Sequence, residues 1–144
     1  MISSIHQNRL LSLSNKLENN SINKNVFLQN LFDIQVSIIE EMQKIKEKIK
    51  GCEKNIQKYN EDRIFIQNEQ NELDKYTKEQ LEEKSINHNV ALRKLILYLK
   101  KSGMDEEELL NEETKKNMEK LQNEYVNMEN ILETVNSTIL IFYF

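Results

Sequence analysis

The stretch Leu28–Gln80, LQNLFDIQVSIIEEMQKIKEKIKGCEKNIQKYNEDRIFIQNEQNELDKYTKEQ, repeats an apolar pattern every seven residues. Steps of three and four residues alternate along it without a slip, which places two interleaved series on one stripe of an α-helix. A pattern sustained over this many heptads is typical of a coiled coil. The sequence predicts a partner interface along the apolar seam, which consists of Leu28, Leu31, Ile38, Met42, Ile45, Ile49, Cys52 and Ile56.

Composition favours long helices over a compact globular fold. The 144-residue chain has no proline and two glycines, Gly51 and Gly103, so few residues interrupt a helical backbone. Charged residues make up 31% of the chain and hydrophobic residues 38%, which is typical of solvated helices with a narrow apolar seam. We therefore predict an all-α fold, extended rather than globular, with a long coiled-coil helix and a C-terminal antiparallel helical hairpin.

Local signals divide the chain into three segments. Residues 1–20 are predicted to form a short N-terminal amphipathic helix, residues 22–84 the long coiled-coil helix, and residues 85–144 a helix–turn–helix that folds back on the long helix. The polar stretch Glu18–Ser21 weakens helix propensity and predicts a bend. Ser85–Asn89 is a second weak point, and the pattern leaves open whether it breaks the helix.

The turn of the predicted hairpin is placed at Ser102–Gly103. Asp105 is a good helix cap and Glu108 follows three residues later, which together form the signature of a capping box. The helix after this turn carries apolar residues in alternating steps of three and four. This predicted hairpin seam consists of Met118, Leu121, Tyr125, Met128, Leu132, Val135 and Ile139.

Three regions are more apolar than a two-stranded seam requires. The face of Phe27–Ile39 is wide enough to predict packing in a helix bundle, against the N-terminal helix, a partner, or both. Val90–Leu99 is too apolar for a solvent-facing helix. The end of the chain, Ile139–Phe144, is apolar on all sides, which predicts burial in an assembly, with insertion into a membrane surface as the alternative.

No residue pattern indicates catalysis or a cofactor. His6 and His88 are far apart, and Cys52 is the single cysteine, so no metal-ligand cluster is expected. The two glycines stand apart, which excludes a glycine-rich phosphate loop. Net charge is −4 with acids and bases interspersed, so nucleic acid is not an expected partner. We predict no enzyme and no catalytic, cofactor or metal site.

Targeting signals are equally sparse. No run approaches the roughly 20 apolar residues that a membrane span requires, and no secretory signal peptide precedes the first helix. These features predict a cytoplasmic or nuclear protein that is not secreted and has no transmembrane segment.

Length and helix pattern resemble those of small subunits of kinetochore, tethering and organelle-biogenesis complexes. The resemblance implies a non-enzymatic coiled-coil subunit that acts as a scaffold or assembly protein. Its expected partners are other coiled-coil proteins, in a hetero-oligomer rather than a homo-oligomer. Two alternatives remain open: a membrane-surface or vesicle adaptor that uses the apolar C-terminus, and a self-associating homo-oligomeric rod.

Overall fold

A computed structural model describes residues 2–83 and 88–143, with the backbone alone for residues 79–83. Over these residues the fold is all-α and contains three helices, α1 (Ile2–Glu18), α2 (Lys24–Glu83) and α3 (His88–Tyr143). The helices α2 and α3 pack as an antiparallel hairpin that is loosely packed and mostly exposed. Most of the weak point predicted at Ser85–Asn89 lies outside the described residues.

The predicted bend between the first two helices is present. The backbone of Asn20 and the side chain of Asn23 stabilise it. Asn20 adopts a left-handed conformation with φ of 57°, and its N–H donates to the Leu17 carbonyl at 3.1 Å. The N–H of Ser21 donates to the Lys16 carbonyl at 2.9 Å, which completes a Schellman cap. Asn23 then caps α2 by accepting a hydrogen bond from the Val26 N–H at 2.9 Å.

The prediction of a turn at Ser102–Gly103 is wrong. The helix α3 runs through both residues without a break, so the hairpin consists of α2 and α3 rather than two halves of residues 85–144. Glycine costs about 1 kcal/mol in a helix interior, which is too little to end a helix whose neighbours favour it. Ser102 is accommodated because its hydroxyl donates to the Tyr98 carbonyl one turn earlier, at 2.9 Å.

Replacing Gly103 with alanine is expected to stabilise the protein by about 1 kcal/mol, because the residue lies in a helix. A Cβ atom built at this glycine has nothing within 4 Å, so the added methyl group meets no obstacle. Urea denaturation followed by circular dichroism measures the change, and Gly51→Ala in α2 is the matched control. A loss of stability for Gly103→Ala alone would instead support a turn at this position.

The helices divide into two compact units, each with its own core. The first unit comprises Met1–Gly51 and Asn117–Phe144, and the second comprises Cys52–Lys116. The core of the first unit takes side chains from all three helices: Leu13, Phe27, Leu31, Ile34, Ile38, Met42, Ile45, Met128, Ile131, Val135 and Ile139.

The core of the second unit is much smaller. Leu73 of α2 packs with Val90 and Leu97 of α3, and Ile66 is partly buried against them. The Arg93 guanidinium lies beside this core and donates to Oε1 of Glu69 at 2.7 Å.

Candidate interaction surfaces

The predicted partner seam on α2 lies mainly against the chain's own helices. Leu31, Ile38, Met42 and Ile45 are buried in the first core, and Ile49 is partly buried against it. The remaining seam residues, Leu28, Cys52 and Ile56, are half-buried. The first half of the seam is thus filled from within the chain, and evidence for a partner must come from other surfaces.

The predicted hairpin seam on α3 contributes to the same core. Met128, Val135 and Ile139 are buried there, and Leu121, Tyr125 and Leu132 pack against them as partly buried side chains. Met118 is half-buried. Because α3 has no turn at Ser102–Gly103, these residues lie along the first half of α2 and not over Val90–Leu99. This position also explains the apolar C-terminus in part, since the Phe142 ring lies 4.9 Å from the Phe27 ring, centroid to centroid.

A buried hydrogen bond that the sequence did not predict joins α1 to α3. The backbone N–H of Ser3, in the first turn of α1, donates to Oε1 of Glu124 at 2.6 Å. A carboxylate at this end of a helix is favourable because it meets unpaired N–H groups and the positive end of the helix dipole. The signal in the sequence is an acid four residues before Met128, on the buried face of α3.

His6 lies one turn further along α1 and is buried. Its Nδ1 atom has no hydrogen-bond partner among the described residues. Burial lowers the pKa of His6 below its usual 6.5, Arg9 lowers it further, and Glu41 opposes both. The imidazole is therefore neutral in the folded protein at pH 7.

The lowered pKa of His6 makes folding pH-dependent. Below pH 6.5 the unfolded chain binds a proton that the folded chain excludes, so stability falls as pH drops through this range. We expect the wild-type free energy of unfolding to decline from pH 7.5 to 5.5, and His6→Gln to flatten this slope. Urea titrations at several pH values measure it. His88→Gln is the control and keeps the slope; equal slopes in wild type and His6→Gln would contradict the assignment.

An exposed apolar surface lies on the first unit, on the side opposite α1. Phe32, Val36 and Ile39 of α2 share one helix face and are 38%, 52% and 49% exposed. The α1 helix lies beside Asn30 and Ile34. Phe32 and Val36 each follow one of these residues by two positions, which is roughly half a helical turn, so they lie on the opposite side of α2. Across from this face, the Gln35 amide donates to the Asn136 amide oxygen of α3 at 2.7 Å. We call this surface the acidic groove, for its surrounding charges.

The acidic groove is bordered by acids and by no bases. In residues 28–43 of α2 and 129–143 of α3 there is no lysine or arginine. Three acids lie beside the apolar stripe: Glu40, one turn after Val36 on α2, and Glu129 and Glu133 on α3. Asp33 and Glu41 lie on the α1 side of α2, where Asp33 lines a cavity with Arg9 and Glu41 raises the pKa of His6. The surface therefore combines an apolar stripe with a negative potential.

A second exposed apolar surface lies on the second unit. Leu92, Leu95, Ile96 and Leu99 form a stripe along α3 and are between 45% and 61% exposed. Val90 and Leu97 point to the opposite side of the same helix, where they pack on α2. The helix is apolar on two faces here, and α2 covers one of them. We call the uncovered face the outer α3 stripe.

Within residues 2–83 and 88–143, no group of three or more histidine, cysteine, aspartate or glutamate side chains is placed to hold a metal ion. The described helices also include none with the length and apolar character needed to cross a membrane. Comparisons with protein-family models, curated proteins and solved structures find no match to this chain.

Proposed function

We propose that the chain is a non-enzymatic coiled-coil assembly subunit of a hetero-oligomeric complex of the kinetochore, tethering or organelle-biogenesis type. The acidic groove is the observation that carries this proposal. The first unit packs three helices and leaves an apolar face uncovered beside two of them. Such a face can accept a further helix, as in a four-helix bundle. Isolated exposed apolar residues need no explanation, but a continuous stripe at helical spacing marks an interaction site.

The charges around the groove define its partner. A helix that fills the groove must present apolar residues toward Phe32, Val36 and Ile39 and bring cations to the acidic border. The length from Leu28 to Gln43 corresponds to roughly 22 Å, or about four turns of such a helix. The partner is therefore a protein with a basic amphipathic helix, held by apolar burial and steered by electrostatic attraction.

Co-purification with a groove variant tests the proposal. The chain, tagged through a flexible linker before Met1 and expressed at native level, is expected to recover a fixed set of proteins in constant ratio. Val36→Asp with Ile39→Asp places two charges in the apolar stripe and is expected to abolish this recovery. Leu11→Asp with Val126→Asp alters two other exposed apolar residues of the same unit and is expected to leave it intact. Recovery of the chain alone would overturn the proposal.

A membrane-surface adaptor is the second candidate, because Leu140 and Ile141 at the end of α3 are 58% and 74% exposed. Their helix face carries apolar side chains without the flanking cations that anionic lipids attract. Flotation with phosphatidylserine-containing vesicles separates the two functions. If the wild type floats with the vesicles and the variant Leu140→Asp with Ile141→Asp does not, the adaptor function is favoured. These substitutions leave the packed residues Ile139 and Phe142 unchanged.

A further inference from the structure

Asn111 is a polar residue at a buried position of the seam between α2 and α3. Steps of seven residues lead from Leu97 through Met104 to Asn111 and on to Met118, so Asn111 belongs to one series of seam residues. Asn111 is 6% exposed, and in the described stretch 98–116 no other residue is buried. Apolar residues normally occupy such positions in paired helices.

The Asn111 side chain lies beside a cavity of about 410 Å³ in the second unit. Most of the other residues that line this cavity are polar: Asn55, Lys58, Tyr59, Asp62, Glu107, Leu110 and Thr114. The Oδ1 atom of Asn111 is buried and has no hydrogen-bond partner among the described residues. A buried acceptor without a partner weakens the folding equilibrium by roughly tenfold, a loss that leucine at the same position would avoid.

Both helices repeat their seam residues every seven positions in this unit. On α2 the series is Cys52, Tyr59, Ile66 and Leu73, and on α3 it is Val90, Leu97, Met104 and Asn111. A slide of one helix along the other by seven residues, about 10.5 Å, therefore again places seam residues against seam residues. The apolar core that opposes such a slide is small, since its buried members are Leu73, Val90 and Leu97. The heptad pattern alone thus leaves several registers, that is, alignments of the two helices, with similar packing.

The ion pair beside this core does not select one register by itself. The Arg93 guanidinium lies 2.7 Å from Oε1 of Glu69, but Asp62 precedes Glu69 by seven residues and would offer a carboxylate after a slide of one heptad. Partly exposed ion pairs also contribute little to stability. The selection therefore depends on the seam, where Asn111 is the one buried polar side chain among the described residues of the second unit.

We propose that Asn111 selects the register in which α2 and α3 pair in the second unit, at a cost in stability. In the observed register the amide lies beside Tyr59, at the mostly polar cavity. A slide of one heptad would move it to Cys52 or to Ile66, depending on the direction. Both are apolar, and Ile66 packs on the core of the unit, so the amide would lose its polar surroundings. A single buried asparagine fixes register in other coiled coils for the same reason.

A fixed register determines which side chains of α3 lie next to which side chains of α2 on the surface of the second unit. It keeps the Lys100 ammonium over the Phe65 ring, for example, at 5.3 Å from the ring centroid. The role of Asn111 concerns contacts within one unit of one chain and does not depend on the proposed partner complex. Either proposal can therefore fail while the other stands.

Cysteine cross-linking in a Cys52→Ser background tests the selection of register. Arg93→Cys is combined with Glu69→Cys as the matched pair, and with Asp62→Cys or Tyr76→Cys as pairs shifted by one heptad in either direction. With Asn111 in place, a short bis-maleimide is expected to join the matched pair only. With Asn111→Leu, at least one shifted pair is expected to react as well. Only cross-linked monomers are counted, so that links between chains do not contribute.

Urea denaturation of Asn111→Leu without the added cysteines gives the second readout. The folding equilibrium constant is expected to rise by roughly tenfold, because the substitution removes a buried amide that has no partner. Met104→Leu is the matched control, since it changes an apolar residue of the same series and is expected to keep one register.

Three results would overturn the proposal. An Asn111→Leu chain that is no more stable than the wild type would show that the amide makes favourable contacts. A more stable chain that reacts only at the matched pair would show that the amide does not select the register. Reaction of a shifted pair with Asn111 in place would show that the register is not fixed at all.

Discussion

Replacing Ile38 with alanine is expected to lower the free energy of unfolding by about 2–5 kcal/mol. Ile38 is 0% exposed and belongs to the core that also holds Leu13 of α1 and Met128 of α3. The substitution removes apolar contacts within this core and leaves a cavity that long helices cannot close without bending. Urea denaturation followed by circular dichroism at 222 nm measures the loss.

The neighbouring residue is the matched control for Ile38. Ile39 has the same side chain but lies in the acidic groove, where it is 49% exposed. Ile39→Ala is expected to change the free energy of unfolding by about 0.5 kcal/mol or less in the purified chain. Equal losses for the two variants would contradict the assignment of inner and outer faces on α2.

Replacing Leu73 with alanine is expected to have a comparable effect on the second unit. Leu73 is 0% exposed, and its core contains few other apolar residues, namely Val90, Leu97 and Ile66. With so small a cluster, no neighbouring side chain is available to fill the cavity, and a loss of about 2–5 kcal/mol is expected. Hydrogen exchange measured by mass spectrometry should show faster exchange in peptides that cover residues 88–100.

Ile64→Ala is the control for Leu73, because Ile64 lies on the same helix and is 60% exposed. Its exchange is expected to match the wild type. Unchanged exchange at residues 88–100 in Leu73→Ala would contradict the packing of α2 on α3 in this unit.

Periodicity in the sequence was sufficient to predict an all-α fold and the amphipathic face of α2. Leu31, Ile38, Met42 and Ile45 recur at heptad spacing, and each is buried in the core. The spacing shows that the helix has an apolar face, but it does not show which element covers that face. The structure supplies α1 and α3 of the same chain as that cover.

The position of the hairpin could not be predicted from local sequence signals. Ser102–Gly103 with Asp105 and Glu108 has the residues of a helix stop and start, yet α3 continues through them. Local cap signals are worth about 1 kcal/mol, and packing along a 56-residue helix outweighs them. The hydrogen bond from the Ser3 N–H to Glu124 joins residues that are 121 positions apart, so the sequence pattern does not reveal it.

The acidic groove was partly visible in the sequence. The wide apolar face of Phe27–Ile39 indicated more than one neighbour, and the structure places α1 and α3 on part of it. Only the structure separates Phe32, Val36 and Ile39, which stay exposed, from Leu31 and Ile38, which do not. The same separation assigns Val90 and Leu97 to the core and leaves the outer α3 stripe uncovered.

The most direct test of this division between inner and outer faces is chemical cross-linking of cysteine pairs in a Cys52→Ser background. Gln35 and Asn136 face each other across α2 and α3, so Gln35→Cys with Asn136→Cys is expected to react with a short bis-maleimide. Gln35→Cys with Gln122→Cys moves the second thiol 14 residues, or about 21 Å, along α3 and is expected not to react.

Mixing isotopically light and heavy protein before cross-linking identifies the chains that are joined. We expect cross-linked peptides from the matched pair to be entirely light or entirely heavy, because α2 and α3 of one chain form the hairpin. Mixed light–heavy peptides, or equal reaction of the mismatched pair, would show that another chain fills the α2 seam and would contradict the proposed structure.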